Sequence, residues 1–125
     1  NSAYRKDIVF TGYISGEEKN ALYQHASMLV FPSLYEGFGM PPLEAMSWDC
    51  PVVCSNVASL PEIAGDAACF VDPFDEDSIA DGIIRVLKEK EYAKDLAKKG
   101  REQIRRFSWD ASAEALVNIC REVLC

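Results

Sequence analysis

Apolar positions along this chain fall first into short runs and later into helical stripes, and the change of period comes near residue 76. Ile8 to Thr11, Met28 to Phe31, Pro51 to Ser55 and Cys69 to Asp72 are compact runs bounded by turn residues, a pattern that predicts short buried strands. Between the first two, Ser15-Gly16-Glu17-Glu18 has the spacing of a capping box, in which hydroxyl and carboxylate each satisfy a backbone N–H at a helix start. A helix to about His25 is expected. Pro41 and Pro42 fit the first turn of a second helix, where a missing N–H costs little. That helix should run through Ala45 and Met46 to about Trp48 and end near Asp49. Strands alternating with helices at this spacing predict an α/β parallel sheet covered on both faces, because each crossover returns the chain to the same sheet.

From about residue 76 the pattern is helical without strands. Ile79, Ala80, Ile83, Ile84 and Leu87 form one apolar stripe that is expected to face the core. Tyr92, Leu96, Gly100, Ile104 and Phe107 form a second, in which Gly100 marks close packing, since its backbone entropy otherwise costs about 1 kcal/mol. Ser108 suits the N-cap of a last helix, and Asp110 its positive first turn. Trp109, Ala113, Leu116, Val117, Cys120 and Leu124 supply that helix's apolar face. No internal repeat or low-complexity linker interrupts the order, and 125 residues suit a single domain.

A formal net charge of −7 argues against nucleic acid and anionic membranes, whose recognition depends on Lys and Arg neutralising phosphates. No apolar run reaches the roughly 18 residues of a membrane span, and the beginning of the chain lacks a signal-peptide pattern. The expectation is a soluble chain. Cys50, Cys54, Cys69, Cys120 and Cys125 are odd in number and make no C-x-x-C pair, so free thiols in a reducing, cytoplasmic compartment are expected. His25, the sole histidine, lies among Leu22, Tyr23 and Ala26 and reads as a partly buried packing residue.

The chemistry concentrates in residues 31 to 46, Phe-Pro-Ser-Leu-Tyr-Glu-Gly-Phe-Gly-Met-Pro-Pro-Leu-Glu-Ala-Met, between a predicted strand and a predicted helix. Ligands of open parallel sheets bind beyond the carboxyl ends of strands, where a loop exposes backbone groups. Gly37 and Gly39 remove side-chain bulk, so a sugar or pyrophosphate could approach the loop amides. Glu36 and Glu44 would meet different parts of one ligand, each accepting hydroxyl hydrogen bonds that contribute roughly 1.5 to 3 kcal/mol. For an arbitrary pair, a surface acid and a helix-start acid would be the better explanation, and the intervening Gly-Phe-Gly-Met-Pro-Pro reverses that preference. One gap stands out: no Lys or Arg occurs between Lys19 and Arg85. A helix end contributes roughly 0.3 to 2 kcal/mol against an anion, too little for a diphosphate beside two glutamates. Cations from elsewhere are therefore expected, the obvious place being chain before Asn1.

In these blocks the chain resembles family four of the glycosyltransferases, retaining enzymes of the two-domain GT-B fold. The resemblance rests on Val9-Phe10-Thr11-Gly12-Tyr13, Phe31-Pro32-Ser33, Glu36 to Glu44, Pro51-Val52-Val53, Leu60-Pro61-Glu62 and Phe107-Ser108-Trp109, in that order. It implies a three-layer, Rossmann-like, partial donor-binding domain over residues 1–125, a truncated carboxyl-terminal half of a GT-B fold whose first strands would precede Asn1. It implies transfer of a hexose from a nucleoside diphosphate sugar with retention, in glycan biosynthesis. The position of Glu36 contacts donor-sugar hydroxyls in that family and is the catalytic assignment here, in an orienting role, with neither glutamate a covalent nucleophile or general base. The position of Glu44 binds ribose. Gly37, Phe38, Gly39 and Met40 would offer amides to sugar and phosphate, Leu43 would sit where the helix start meets the diphosphate, and Tyr13 falls where the family builds its base pocket. No metal or other cofactor is implied.

Two departures accompany the resemblance. Asp49 stands where the family usually has Gly, and Asp tolerates left-handed backbone angles better than most residues. The family's phosphate-binding Arg and Lys and its acceptor-binding amino-terminal domain would precede Asn1, so this chain alone is expected to lack activity. Any membrane contact would then run through that domain, and the last helix should expose apolar surface or self-associate. A noncatalytic nucleotide-sugar-binding or interaction module is the alternative reading, and a GT-B epimerase or phosphorylase a third. Glu62 reads as a helix-end or loop-fixing residue outside the site.

Overall fold

A computed structural model describes residues 2–124, so Cys125 lies outside the described residues. Three parallel strands, β1 (Leu29–Phe31), β2 (Val52–Ser55) and β3 (Ala68–Val71), pair in the order β1-β2-β3. The register aligns Leu29 with Val52 and Ala68, and Val30 with Val53 and Cys69, so alternate residues of each strand reach opposite faces of the sheet. Both faces are covered, and the strands accordingly read as nearly continuous apolar runs.

One face, carrying Val52, Cys54 and Ala68, packs under α2 (Met40–Met46) and α3 (Leu60–Ala64). Tyr23 from α1 (Gly16–His25) and Ile104 from the end of α5 (Lys90–Ile104) close over the same cluster. The other face, with Val53, Cys69 and Val71, packs against Val86 of α4 (Glu76–Lys88) and Leu96 of α5. This is the expected three-layer arrangement. The Ser15 capping box is complete: Ser15 Oγ accepts from the Glu18 N–H at 3.2 Å, and Glu18 accepts from the Ser15 N–H at 2.8 Å. Asp49 takes the left-handed conformation at φ 58° and pairs with Arg101 at 3.1 Å. Gly100 packs where expected, since a Cβ there would stand 2.9 Å from Met46 Cγ.

Three expectations are corrected. Ile8 to Thr11 is not a strand, and Val9 and Phe10 are exposed. A buried parallel strand needs a neighbour to complete its ladder, and among the described residues none lies beside this run. On α4 the buried line is Gly82 and Val86 with Ile79 half-buried, whereas Ala80, Ile84 and Leu87 face outward. Gly82 brings the helix close to β3, where a Cβ would come within 2.5 Å of Val71 Cγ1, and this rotates the stripe away from the larger side chains. His25 is exposed at the end of α1.

The last helix, α6 (Trp109–Leu124), begins where Ser108 Oγ accepts from the Ala111 N–H at 3.2 Å. Its Trp109, Leu116, Val117 and Leu124 are exposed, as the resemblance implied. Cys50, Cys54 and Cys69 are buried free thiols, and Cys120 is exposed. No helix among the described residues is long and apolar enough to cross a membrane.

Candidate functional site

The loop from Pro32 to Gly39 leaves the carboxyl end of β1 and turns into α2. Its shape is held from the next crossover. Ser59, just before α3, donates its hydroxyl to the carbonyl oxygens of Phe38 at 2.8 Å and Glu36 at 3.1 Å. Within the loop, Ser33 Oγ donates to Glu36 Oε1 at 2.8 Å, which restricts the carboxylate while leaving Oε2 without a protein donor among the described residues. Glu36 is half-buried. Among the described residues the N–H groups of Gly37, Phe38 and Gly39 donate to no other protein group. Such a row of unengaged donors beside a strand end can donate to hydroxyl or phosphoryl oxygens.

The two glycines serve different purposes. Gly39 has φ 96°, and a Cβ there would stand 2.7 Å from Leu60 Cδ2, so the chain itself requires glycine. Gly37 carries no such constraint, because a Cβ would meet no protein atom within 4 Å. The space above Gly37 is open. The expectation that both glycines serve ligand approach therefore narrows to Gly37.

Glu44 lies on α2 at the edge of a cavity of about 260 Å³ lined by Phe38, Met40, Leu43, Ser47, Phe107 and Trp109, among others. Phe38 and Phe107 meet edge to face, with centroids 6.0 Å apart. The Glu44 carboxylate is gripped from α1: Lys19 Nζ donates to Oε1 at 2.9 Å, and the Tyr23 hydroxyl donates to Oε2 at 3.3 Å. Burial, then the nearby Glu44 charge and hydrogen bond, push the Tyr23 phenol up to about 12, so it stays protonated and donating at neutral pH.

Phe38, Met40, Leu43 and Glu44 are thus brought around one cavity, with Glu36, Gly37 and Gly39 on the loop that leads to it. Tyr13 is fully exposed on the segment after Gly12 and does not line that cavity. Glu62 lies in the first turn of α3, exposed, away from the cavity lining. Sequence reasoning missed Ser59, Lys19 and Tyr23. Lys19 and Tyr23 are four residues apart and therefore share one face of α1, a signal present in the sequence, but the packing of α1 on α2 that gives the pair its target is not.

Comparison with known proteins agrees with this fold. A family described as "Glycosyl transferases group 1" matches residues 2–103. O-antigen chain mannosyltransferase B of Escherichia coli is 43% identical over 111 residues, covering 89% of this chain and 29% of that protein. MMP alpha-(1->4)-mannosyltransferase of Mycolicibacterium hassiacum is 36% identical over 123 residues, covering 94% of this chain and 30% of that protein. Among solved structures, sucrose-phosphate synthase from Thermosynechococcus elongatus superposes with a TM-score of 0.86 at 32% identity, over 96% of this chain and 31% of its own. The chain therefore spans under a third of each of these relatives.

Proposed function

This chain belongs to the group 1 glycosyl transferases, and on that premise we propose that it forms the donor side of an enzyme transferring a hexose from a nucleoside diphosphate sugar with retention of configuration. The observation that carries the reading is the Ser59-braced loop, which presents Glu36 and the unengaged amides of Gly37, Phe38 and Gly39 beside Glu44 on the helix that follows.

In this reading Glu44 accepts the ribose hydroxyls and Glu36 accepts hydroxyls of the hexose, each by charge-assisted hydrogen bonds. The loop amides meet the sugar and the diphosphate, whose developing charge on departure is what such donors stabilise best. Gly37 leaves room for that approach. Met40 and Leu43 border the diphosphate, and Tyr13 remains the candidate for the base. Neither glutamate forms a covalent bond, and no metal is required. Acceptor binding and further phosphate-binding cations belong to other parts of the whole protein. Two relatives are mannosyltransferases by name, which makes a mannose donor the first to test. A cytoplasmic location fits the buried free thiols.

The test is a pair of isosteric substitutions in the whole protein. Glu44→Gln is expected to weaken nucleoside diphosphate binding by roughly tenfold, and Glu36→Gln to lower the transfer rate by more than it lowers nucleotide affinity. Unaltered kinetics in both would sink the assignment. Binding without turnover in the unsubstituted protein would mark a noncatalytic module instead.

A further inference from the structure

Glu44 is the carboxylate of this site that is held from a different helix, and both of its oxygens are engaged by α1. A carboxylate offers about four lone-pair positions, so one protein donor on each oxygen fixes its plane and still leaves acceptor capacity for two hydroxyls. The chain from Asn20 to Ile84 contains no Lys or Arg, yet a diphosphate must approach beside Glu36 and Glu44. The Lys19 ammonium, at 2.9 Å from Oε1, is a cation that folding brings to this carboxylate.

We propose that Lys19 and Tyr23 are positioning residues for nucleotide recognition: together they hold the Glu44 carboxylate in the orientation that receives the ribose hydroxyls, and Lys19 offsets the charge that would repel the diphosphate. The inference rests on the reading of Glu44 as the ribose ligand. Fold maintenance does not account for the pair, since the Lys19 and Glu44 side chains are 41% and 31% exposed and ion pairs so open to water add little to stability. Placement on α1 does account for it. The Ser15 capping box sets where α1 begins, and Tyr23 is partly buried against the core, so Lys19, one turn earlier, is aimed by a rigid element.

The experiment is calorimetric titration of the whole protein with uridine diphosphate and with guanosine diphosphate, each beside its monophosphate. Lys19→Met is expected to weaken diphosphate binding roughly tenfold and monophosphate binding less, with Lys19→Arg restoring it to within about threefold. Tyr23→Phe should weaken both by roughly threefold or more, with an unchanged thermal midpoint. In a Glu44→Gln background Tyr23→Phe should cause no further loss, because it acts only through that carboxylate, whereas Lys19→Met should still weaken diphosphate binding through the lost charge while leaving monophosphate binding unchanged. A further loss from Tyr23→Phe there, a further loss of monophosphate binding from Lys19→Met there, or tighter diphosphate binding by Lys19→Met alone, would overturn the proposal. The two readings also fail differently. If Glu44→Gln alone leaves affinity unchanged, the ribose assignment falls and takes this inference with it. If Glu44→Gln weakens binding while the Lys19 and Tyr23 variants bind normally, only the positioning inference falls.

Discussion

Alanine at Gly37 and alanine at Gly39 are expected to fail in opposite ways, although both add one methyl group to the same loop. At Gly39 the backbone has φ 96°, and the new Cβ would stand 2.7 Å from Leu60 Cδ2. A positive φ beyond the left-handed basin costs about 1 to 3 kcal/mol for an L side chain. Relief of the overlap adds about 1 to 3 kcal/mol, because Leu60 is fully buried and cannot swing into solvent. The total is about 2 to 6 kcal/mol, which at roughly 4 °C per kcal/mol lowers the thermal midpoint by about 8 to 24 °C. At Gly37 the methyl meets no protein atom within 4 Å, so the midpoint should stay within about 2 °C or rise slightly through the stiffer unfolded chain. Nucleoside diphosphate sugar affinity should nevertheless fall about tenfold or more, since on the proposed reading the methyl occupies space that the ligand would take. Thermal melts by circular dichroism and calorimetric titration on the two variants give both readouts. A Gly39→Ala protein as stable as its parent would refute the strain argument. A Gly37→Ala protein with unchanged affinity would refute the ligand-approach argument.

Three further predictions concern the core and the cysteines. The Gln103 side chain donates from Nε2 to the Ile63 carbonyl oxygen at 2.7 Å while buried, so Gln103→Leu should cost about 1 to 3 kcal/mol in chemical denaturation, and an unchanged midpoint would show that bond to be dispensable. Burial, with a smaller contribution from Cys69, pushes the Cys54 thiol from its ordinary 9.0 to about 12. The folded state thus keeps a proton that the unfolded chain releases, so this contribution is intact below pH 9 and is lost as pH rises towards 12. Cys54→Val should flatten the alkaline decline in stability. Alkylation followed by mass spectrometry should modify Cys120 in the native protein and Cys54 only after unfolding.

Much of the fold was legible because its signals are local. Four residues specify the start of α1, two prolines mark the first turn of α2, and Gly100 announces a close approach that Met46 supplies. Features set by a partner element were not legible. Ile8 to Thr11 has the composition of a strand, yet a strand exists only where another chain segment completes its ladder. On α4 the apolar residues fit two faces, and the choice was made by Gly82, whose missing side chain gives no hydrophobic signal but permits the closest contact with β3. Glycine can thus be a buried position of a helical face while contributing nothing to its apolar pattern.

The candidate site divides along the same line. Glu36, Gly37 and Glu44 could be singled out from their order in a strand-loop-helix segment, because that order alone puts a loop beyond a strand end. The electrostatics could not be read that way. The sequence shows both site glutamates in a long stretch free of Lys and Arg, which points to cations from beyond the segment. The fold supplies one from α1, twenty-five positions before Glu44, through a contact between two helices that no spacing rule predicts. Charge along a chain is therefore a poor guide to charge in a groove wherever a crossover folds one helix against another. For this site the consequence is specific. On the proposed reading, Glu44 meets the ligand as half of an ion pair, so its capacity to accept ribose hydroxyls would be retained while its repulsion of phosphate would be reduced. A substitution that removes only the carboxylate would leave Lys19 free to draw the phosphates towards it. Glu44→Gln should accordingly lose less affinity for the diphosphate than for the monophosphate, and the reverse order would show that Lys19 does not face the ligand.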